Sequence, residues 1–354
     1  MHLLIVAPKK LTMPSSILEA MVVDIIKNCK QNKDLSIVIV GFHGFENRIK
    51  EIEGVNHITF IAKKEAAIMV KQVKDARVLH FGDNLNWAQN IPVYFMPLAL
   101  PSDLNNLSFL NRFLFKKVFN NYLKKASNII ATNDWAYASL QQNHVEFLHK
   151  MVQVSIPLNA PNALEWTTLS AAKEEIANGN NYFLYFAPLE RFVPILKEFS
   201  VFKKWQQTTM NLVIMLQNQQ EVDKAMILLK GYKFISDIQV YCIEDIDDEW
   251  FAASYAILWE GVSWFTSTWI IKSIQYDIPL LFDDKISLTT TWQKAGEVIS
   301  FSDEQVLSNH FKLYYKDEIY RQARARMGKE WLDLINQPSE GKELFNNIVL
   351  SHIK

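Results

Sequence analysis

The chain is poor in glycine: it has 10 glycines in 354 residues, about 3%, where ordinary proteins carry roughly 7%. Nucleotide-phosphate sites usually need glycine where the backbone approaches the phosphate closely. Neither the GxGxxG pattern of dinucleotide-binding folds nor the GxxxxGK[ST] pattern of P-loops occurs in the sequence. The sequence therefore argues against a Rossmann dehydrogenase and against a P-loop NTPase.

Cysteine, net charge and long apolar runs are also scarce. Cys29 and Cys242 lie far apart and form no metal or redox spacing, so we predict no metal site and a reduced, cytoplasmic setting. A formal net charge of -1 provides no basic face for nucleic acid. No run approaches bilayer length, and the apolar segment Met1 to Pro8 is too short for a signal sequence. We expect a soluble protein that is at most peripheral at the inner face of a membrane.

Apolar residues are abundant, at 49% hydrophobic and 12% aromatic, which is enough for two domains with full cores. Short apolar runs alternate with helical patterns along the whole chain, which is typical of α/β domains with doubly wound parallel sheets. A linker is expected after Pro161, because polar residues follow it. The predicted domains are residues 1–165 and 180–354.

The most informative stretch runs from Tyr255 to Asp284. A buried strand ends on Glu260, Gly261 and Ser263 turn the chain, a helix follows, and a second apolar run begins at Pro279. This strand, turn, helix and strand form a βαβ unit, in which a carboxylate at the end of the first strand lies where open α/β sheets bind ligands. Ser263 is suited to cap the helix and to leave backbone N–H groups beside Glu260 for an anion.

These residues resemble glycosyltransferases of the GT-B fold, most closely the retaining enzymes of family 4. The family signature is E-G-F-G-x-x-x-x-E followed by a helix and a strand; Glu260 and Gly261 match its start, and 277–281 match its closing strand. The second Glu is not matched. Counting forward from Glu260 places Thr268 there, and counting back from Pro279 places Lys272.

The resemblance implies two Rossmann-like domains that face each other across a cleft, with the donor held by the second domain. There the family places G-R-x-x-x-x-K, and this chain has Ala187 at the Gly, with Arg191 nearby as the diphosphate contact. Arg191 could instead pair with its neighbour Glu190. The residues expected around the donor are Arg191, Ala187, Gly261, Val262, Ser263, Thr268 and Lys272, with Glu260 as the catalytic carboxylate. Each lost charge-assisted contact costs about 1.5–3 kcal/mol, so we expect weak binding of UDP- and GDP-sugars.

In the first domain the resemblance assigns His80 a second catalytic position, after a strand that faces the donor sugar. The alternative is that His80 is simply a packed or hydrogen-bonded residue. Asp83 and Asn84 follow the same strand and are the expected acceptor contacts. Met96 stands where the family commonly has another histidine.

Two charged segments have open interpretations. The helix from Phe109 to Lys125 has an aromatic face and lysines, and it would suit either an anionic membrane surface or a domain core with solvated lysines. The acidic run 244–249 lacks the spacing of a calcium loop and is typical of a helix start.

The function expected from the resemblance is transfer of a sugar, with retention and without a metal, from a nucleotide-diphospho-sugar to an unknown glycan, lipid or protein acceptor. No cofactor is required beyond this substrate. The alternative is a catalytically degenerate GT-B protein that acts as a binding or scaffold subunit. A nucleotide-sugar epimerase is a weaker alternative. The last helix is expected to cross back to the first domain.

Overall fold

The computed structural model describes residues 1–8, 18, 22–23, 25–27, 29, 35–41, 58–73, 75–83, 85–88, 90–97, 109–131, 134–154, 164–186, 188–206, 208–260, 266–285 and 292–335. The chain divides into two compact units, one within residues 1–159 and the other within residues 160–336. The predicted last helix lies outside the described residues, so its crossing stays a prediction. Residues 161–163 of the linker expected after Pro161 also lie outside the described residues, whereas residues 166–177 within it form a helix.

The first unit contains a parallel sheet of 7 strands in the order β3-β2-β1-β4-β5-β6-β7. The strands are β1 His2–Val6, β2 Ser36–Val40, β3 Ile58–Ile61, β4 Ala76–His80, β5 Val93–Phe95, β6 Asn128–Ala131 and β7 Met151–Gln153. The strand order reverses between β1 and β4, which are direct neighbours. In open parallel sheets this switch point is where ligands bind, beyond the carboxyl ends of the strands.

The second unit contains a parallel sheet of 6 strands in the order β10-β9-β8-β11-β12-β13. The strands are β8 Tyr182–Phe186, β9 Asn211–Leu216, β10 Ile238–Cys242, β11 Ala256–Trp259, β12 Leu280–Asp283 and β13 Glu297–Ile299. Here the order reverses between β8 and β11, which pair from Ala256 with Phe183 to Trp259 with Phe186. The ends of β8 and β11 therefore define the switch point of this sheet.

The described helices connect the strands. In the first unit they are α1 Lys63–Gln72, α2 Phe109–Lys125 and α3 Asp134–Asn143, followed by a 3-10 helix at Val145–Lys150. In the second unit they are α4 Trp166–Ala177, α5 Phe192–Trp205, α6 Gln219–Leu228, α7 Asp248–Ala253, α8 Thr266–Gln275, α9 Val306–Lys316 and α10 Glu318–Ile335. The acidic run at 244–249 leads into α7, as predicted. Among the described helices, none is both long and apolar enough to span a bilayer.

Each unit has a hydrophobic core of its own. In the second unit an aromatic cluster joins β8 to α5 and α9, with the rings of Phe183 and Phe311 4.5 Å apart and those of Phe183 and Phe202 5.9 Å apart. In the first unit aliphatic strand residues pack on α1, among them Leu4, Val38 and Val78. The prediction of two doubly wound parallel-sheet domains is confirmed.

Candidate functional site

Glu260 lies at the switch point of the second sheet, directly after β11. Its backbone N–H donates to the carbonyl of Phe186, the last residue of β8, at 3.0 Å. Leu258 pairs with Tyr185 across the two strands, and side chains alternate between the faces of a sheet. The Glu260 side chain therefore emerges on the same face as Tyr185, one residue beyond the end of β11.

Both carboxylate oxygens of Glu260 are engaged by side chains from the β8 side. The Tyr185 hydroxyl donates a hydrogen bond to Oε2, and Nε of Arg191 forms an ion pair with Oε1. The Glu260 side chain is only 9% exposed and that of Arg191 is 23% exposed. Such a pair is largely shielded from solvent, unlike the surface pairs that contribute little.

Arg191 reaches Glu260 because the chain turns sharply after β8. A 3-10 turn at Leu189–Arg191 places Arg191 immediately before α5. Its Nη2 group also donates to the carbonyl of Phe301 at 2.8 Å, and the Phe301 N–H donates to Oδ1 of Asp283 at 3.1 Å. Asp283 is the buried last residue of β12. The ends of β8, β11 and β12 are thus linked by one network.

Burial controls the titration of this network. Burial raises the pKa of Glu260 above its usual value, and the Tyr185 hydrogen bond and the Arg191 charge oppose that shift. Burial likewise raises the pKa of Tyr185 well above 10, and the negative charge of Glu260 adds to the shift. The Tyr185 hydroxyl therefore remains a hydrogen-bond donor across the ordinary pH range.

The structure brings together only part of the predicted donor site. Arg191 and Glu260 are in contact, and within the described residues no ion pair joins Arg191 to Glu190. Ala187, Gly261, Val262 and Ser263 lie outside the described residues, and Thr268 and Lys272 lie in α8 with side chains that the structure does not describe. Tyr185, Asp283 and the Phe301 carbonyl were not predicted. The sequence did contain a signal for Asp283, because β12 ends on this carboxylate just as β11 is followed by Glu260.

In the first unit His80 ends β4 and is almost completely buried. Its ring stacks on Phe95 at 4.9 Å and meets the edge of Tyr122 at 5.5 Å, and its Nδ1 accepts the N–H of Asp83 at 3.3 Å. Burial lowers the pKa of His80 to about 3, so the ring is neutral. Because Nδ1 accepts the Asp83 N–H, the proton of the neutral ring lies on Nε2. A ring with that pKa is a poor general base near pH 7.

The predicted acceptor residue Asp83 is also buried beside His80. Its Oδ2 forms an ion pair with Nζ of Lys63, the first residue of α1, at 2.7 Å. Asn84 lies outside the described residues. His80 and Asp83 are therefore neighbours at the carboxyl end of β4, as the sequence predicted, and their catalytic and acceptor roles stay predictions.

Several solved structures share this architecture over nearly the whole chain. HepE from Anabaena, crystallised with UDP and glucose, matches with a TM-score of 0.70 and 9% identity over 99% of this chain and 100% of HepE. A glycosyltransferase from Rickettsia africae has a TM-score of 0.68 and 15% identity over 98% of this chain and 96% of its own. WaaG, a glycosyltransferase of lipopolysaccharide biosynthesis, has a TM-score of 0.65 and 11% identity over 98% of this chain and 99% of its own.

Sequence comparison adds nothing to this result. No protein-family model matches the chain, and no curated protein matches it. At identities this low the likeness establishes the fold, and membership of family 4 in particular stays a prediction. The chain has the GT-B fold of the glycosyltransferases.

Proposed function

We propose that this protein is a glycosyltransferase that takes a nucleotide-diphospho-sugar as its donor and binds it at the carboxyl end of the second sheet. The observation that carries the proposal is the contact between Arg191 and Glu260 at the switch point between β8 and β11. A guanidinium and a carboxylate at this place offer one group for the diphosphate and one for the sugar hydroxyls. The UDP bound to HepE supports this donor class.

Arg191 would neutralise the diphosphate. Its described contacts engage Nε and Nη2, and a guanidinium has further N–H donors on Nη1 that remain for a phosphate oxygen. The Phe301 carbonyl and Glu260 fix the plane of the guanidinium, which reduces the entropy lost when a phosphate binds. Arg191 is therefore suited to hold a diphosphate although Ala187 replaces the family's glycine.

Glu260 would accept hydrogen bonds from donor-sugar hydroxyls, with Tyr185 as a positioning residue that holds one of its oxygens. In the proposed transfer, the bond between the anomeric carbon and the diphosphate breaks, and that carbon bonds to an acceptor hydroxyl oxygen with retention. The hydroxyl proton leaves with the diphosphate. Asp83 and Asn84 remain the proposed acceptor contacts, and the acceptor is a glycan, a lipid or a protein.

A degenerate binding or scaffold subunit is the second candidate. This candidate is favoured by the contacts of Glu260, because both of its carboxylate oxygens already contact protein groups instead of facing a ligand alone. In that case the network at 185, 191 and 260 would only join the strand ends. Nucleotide binding distinguishes the two candidates, because a glycosyltransferase must bind a nucleotide donor and a scaffold subunit need not bind a nucleotide. An epimerase has less support, because the described site offers no additional acid and base pair.

We also propose that α2 rests on an anionic membrane surface, at the inner face of the membrane of a cytoplasmic protein. The helix contains no acidic residue and ends in Lys124 and Lys125. Four of its apolar side chains are between 45% and 64% exposed: Leu110, Phe113, Leu114 and Val118. Positions 110, 114 and 118 follow one another at helical spacing, so they form one outer stripe, while Phe119 and Leu123 are buried on the other side. This combination of cations and exposed apolar groups fits an anionic bilayer.

Nucleotide binding is the direct test of the donor site. We expect saturation-transfer NMR to detect UDP or GDP bound at millimolar concentration, because the lost family contacts weaken but do not remove the site. Arg191→Gln should abolish the signal. Arg321→Gln is the matched control, since Arg321 also pairs with a glutamate in the second unit but lies on α10. Absence of any signal from the unmodified protein would favour the scaffold function instead.

The role of Tyr185 can be measured by a double-mutant cycle of Tyr185→Phe and Glu260→Gln on the free energy of unfolding. The pKa of Glu260 is raised in the folded state, so its contribution to the free energy of unfolding is fully present below the pKa of the unfolded state. That contribution is lost as the pH rises through the pKa of the folded state. Removing the Tyr185 donor raises that pKa further, so the cost of Tyr185→Phe should grow from about 0.5–1.5 kcal/mol at pH 4, as for a neutral hydrogen bond, to about 1.5–3 kcal/mol at pH 8, as for one to a charged group.

The control for this cycle is Tyr182→Phe on the same strand. The Tyr182 hydroxyl donates to the neutral carbonyl of Trp250 at 2.6 Å, so the cost of its removal should not change between these pH values. In the Glu260→Gln background the cost of Tyr185→Phe should also lose its pH dependence. Equal costs at both pH values in the unmodified background would show that Tyr185 does not control Glu260.

Membrane contact is testable by co-sedimentation with vesicles of neutral and anionic phospholipid. We expect binding only when anionic lipid is present, and less of it at high salt. The double variant Phe113→Ser with Leu114→Ser should bind at least about tenfold more weakly, because burying each side chain contributes roughly 1.5–3 kcal/mol. The control is Met226→Ser with Ile227→Ser on α6, which are equally exposed beside acidic residues. Equal loss in both variants would contradict the assignment to α2.

A further inference from the structure

The first unit contains a cavity of about 370 Å³ beside α2. Among the described residues that line it are the polar side chains of His80, Asp83, Asn86, Asn90, Tyr122 and Lys125. These residues belong to the first unit. Its volume lies within the usual range for small-molecule sites, roughly 300–1,000 Å³.

The cavity results from an unusual connection between two parallel strands. Neighbouring parallel strands are usually joined by a crossover helix that covers the sheet. Between β4 and β5 the described residues 81–83, 85–88 and 90–92 contain turns and bends but no helix. This segment and the last turns of α2 enclose the space that a helix would have filled. Asn90 within it has a φ of 68°, in the left-handed region that asparagine adopts more readily than most residues, which suits a turn.

The wall offers hydrogen-bond donors and acceptors side by side. Asp83 is buried, and the ion pair with Lys63 is the contact that its Oδ2 makes within the described residues. Tyr122 lines the same cavity. Burial and the charge of Asp83 raise the pKa of Tyr122 to about 12, so this hydroxyl keeps its proton. At the exposed rim, Nζ of Lys125 donates to Oδ1 of Asn86 at 2.7 Å.

The floor of the cavity is apolar, with Leu85, Ala88, Ile91 and Val93. A ligand that suits this cavity must have apolar C–H surface together with groups that both donate and accept hydrogen bonds. Hydroxyl groups do both, whereas a phosphate or carboxylate only accepts. Lys63 already compensates the buried carboxylate of Asp83, so the interior offers no unpaired cation to an anion and suits a neutral ligand.

We propose that this cavity binds one neutral sugar residue or a neutral polyhydroxylated molecule of the same size. In the interior, the Asp83 carboxylate accepts a hydrogen bond from one hydroxyl group of the ligand. The Tyr122 hydroxyl donates a hydrogen bond to a second hydroxyl group or accepts one from it. Asn86 and Asn90 contact hydroxyl groups at the rim. The apolar floor takes the C–H face of the ring. Asp83 is also a proposed acceptor contact, so this inference rests on the proposed function in naming a neutral sugar as the acceptor class. A scaffold protein would bind a sugar there in the same way.

The test is saturation-transfer NMR with a panel of neutral compounds: glucose, galactose, mannose, their N-acetylated amino sugars, and myo-inositol. Glucuronate and glucose 6-phosphate serve as anionic comparators. We expect at least one neutral compound to give a signal with the unmodified protein. Ala88→Leu, which fills the floor, should abolish that signal. Tyr122→Phe removes a single hydroxyl and should weaken binding by roughly two- to tenfold, in line with one neutral hydrogen bond.

Tyr137→Phe is the matched control, because Tyr137 is a half-buried tyrosine of α3 that does not line the cavity. Melting temperatures establish that each variant is folded, and Tyr122→Phe preserves the test if Ala88→Leu does not fold. The inference is overturned if no neutral compound binds, if Ala88→Leu and Tyr122→Phe leave binding unchanged, or if only the anionic comparators bind. UDP binding by the same samples reports on the second unit separately, so failure of either proposal is distinguishable from failure of the other.

Discussion

A carboxylate that has been nearly removed from water must be paired, and in the second unit Arg191 and Tyr185 pair with Glu260. Removing one partner of such a pair leaves an uncompensated buried charge, which costs up to about 3–5 kcal/mol. The same guanidinium contacts the Phe301 carbonyl, and through it the end of β12. The geometry of three strand ends therefore depends on this one ion pair, and so does any chemistry at this edge of the sheet.

The sheets could be predicted from the sequence because their strands are buried on both faces and form short continuous apolar runs. The edge strand Ile58–Ile61 was missed, since it is only four residues long and Thr59 interrupts its apolar run. Helix α4 was assigned to the linker because it begins at the exposed Trp166 and has few large apolar residues. The sequence did mark the end of this helix, because Asn178 and Gly179 are typical residues of a helix C-terminus. Both adopt left-handed conformations in the structure, with φ of 50° and 77°.

The site was predictable only in part. Glu260 was identifiable because a polar residue ends an apolar strand, and the resemblance to GT-B enzymes indicated Arg191. The role of Tyr185 could not be predicted from the sequence, because a tyrosine within an apolar strand does not indicate where its hydroxyl group points. His80 was correctly placed beside Asp83, but its low pKa depends on the rings of Phe95 and Tyr122, which only the tertiary structure brings together. The cavity beside α2 is likewise a tertiary feature, produced by a connection that lacks a helix.

In the proposed function the ends of β8 and β11 hold the donor nucleotide. A crystal structure of the protein soaked with UDP or GDP at millimolar concentration tests this most directly. We expect a diphosphate within hydrogen-bond distance of the Arg191 guanidinium, with the terminal phosphate on the side of Glu260. Donor binding at these strand ends would be refuted by a nucleotide bound elsewhere on the chain, far from an undisturbed contact between Arg191 and Glu260.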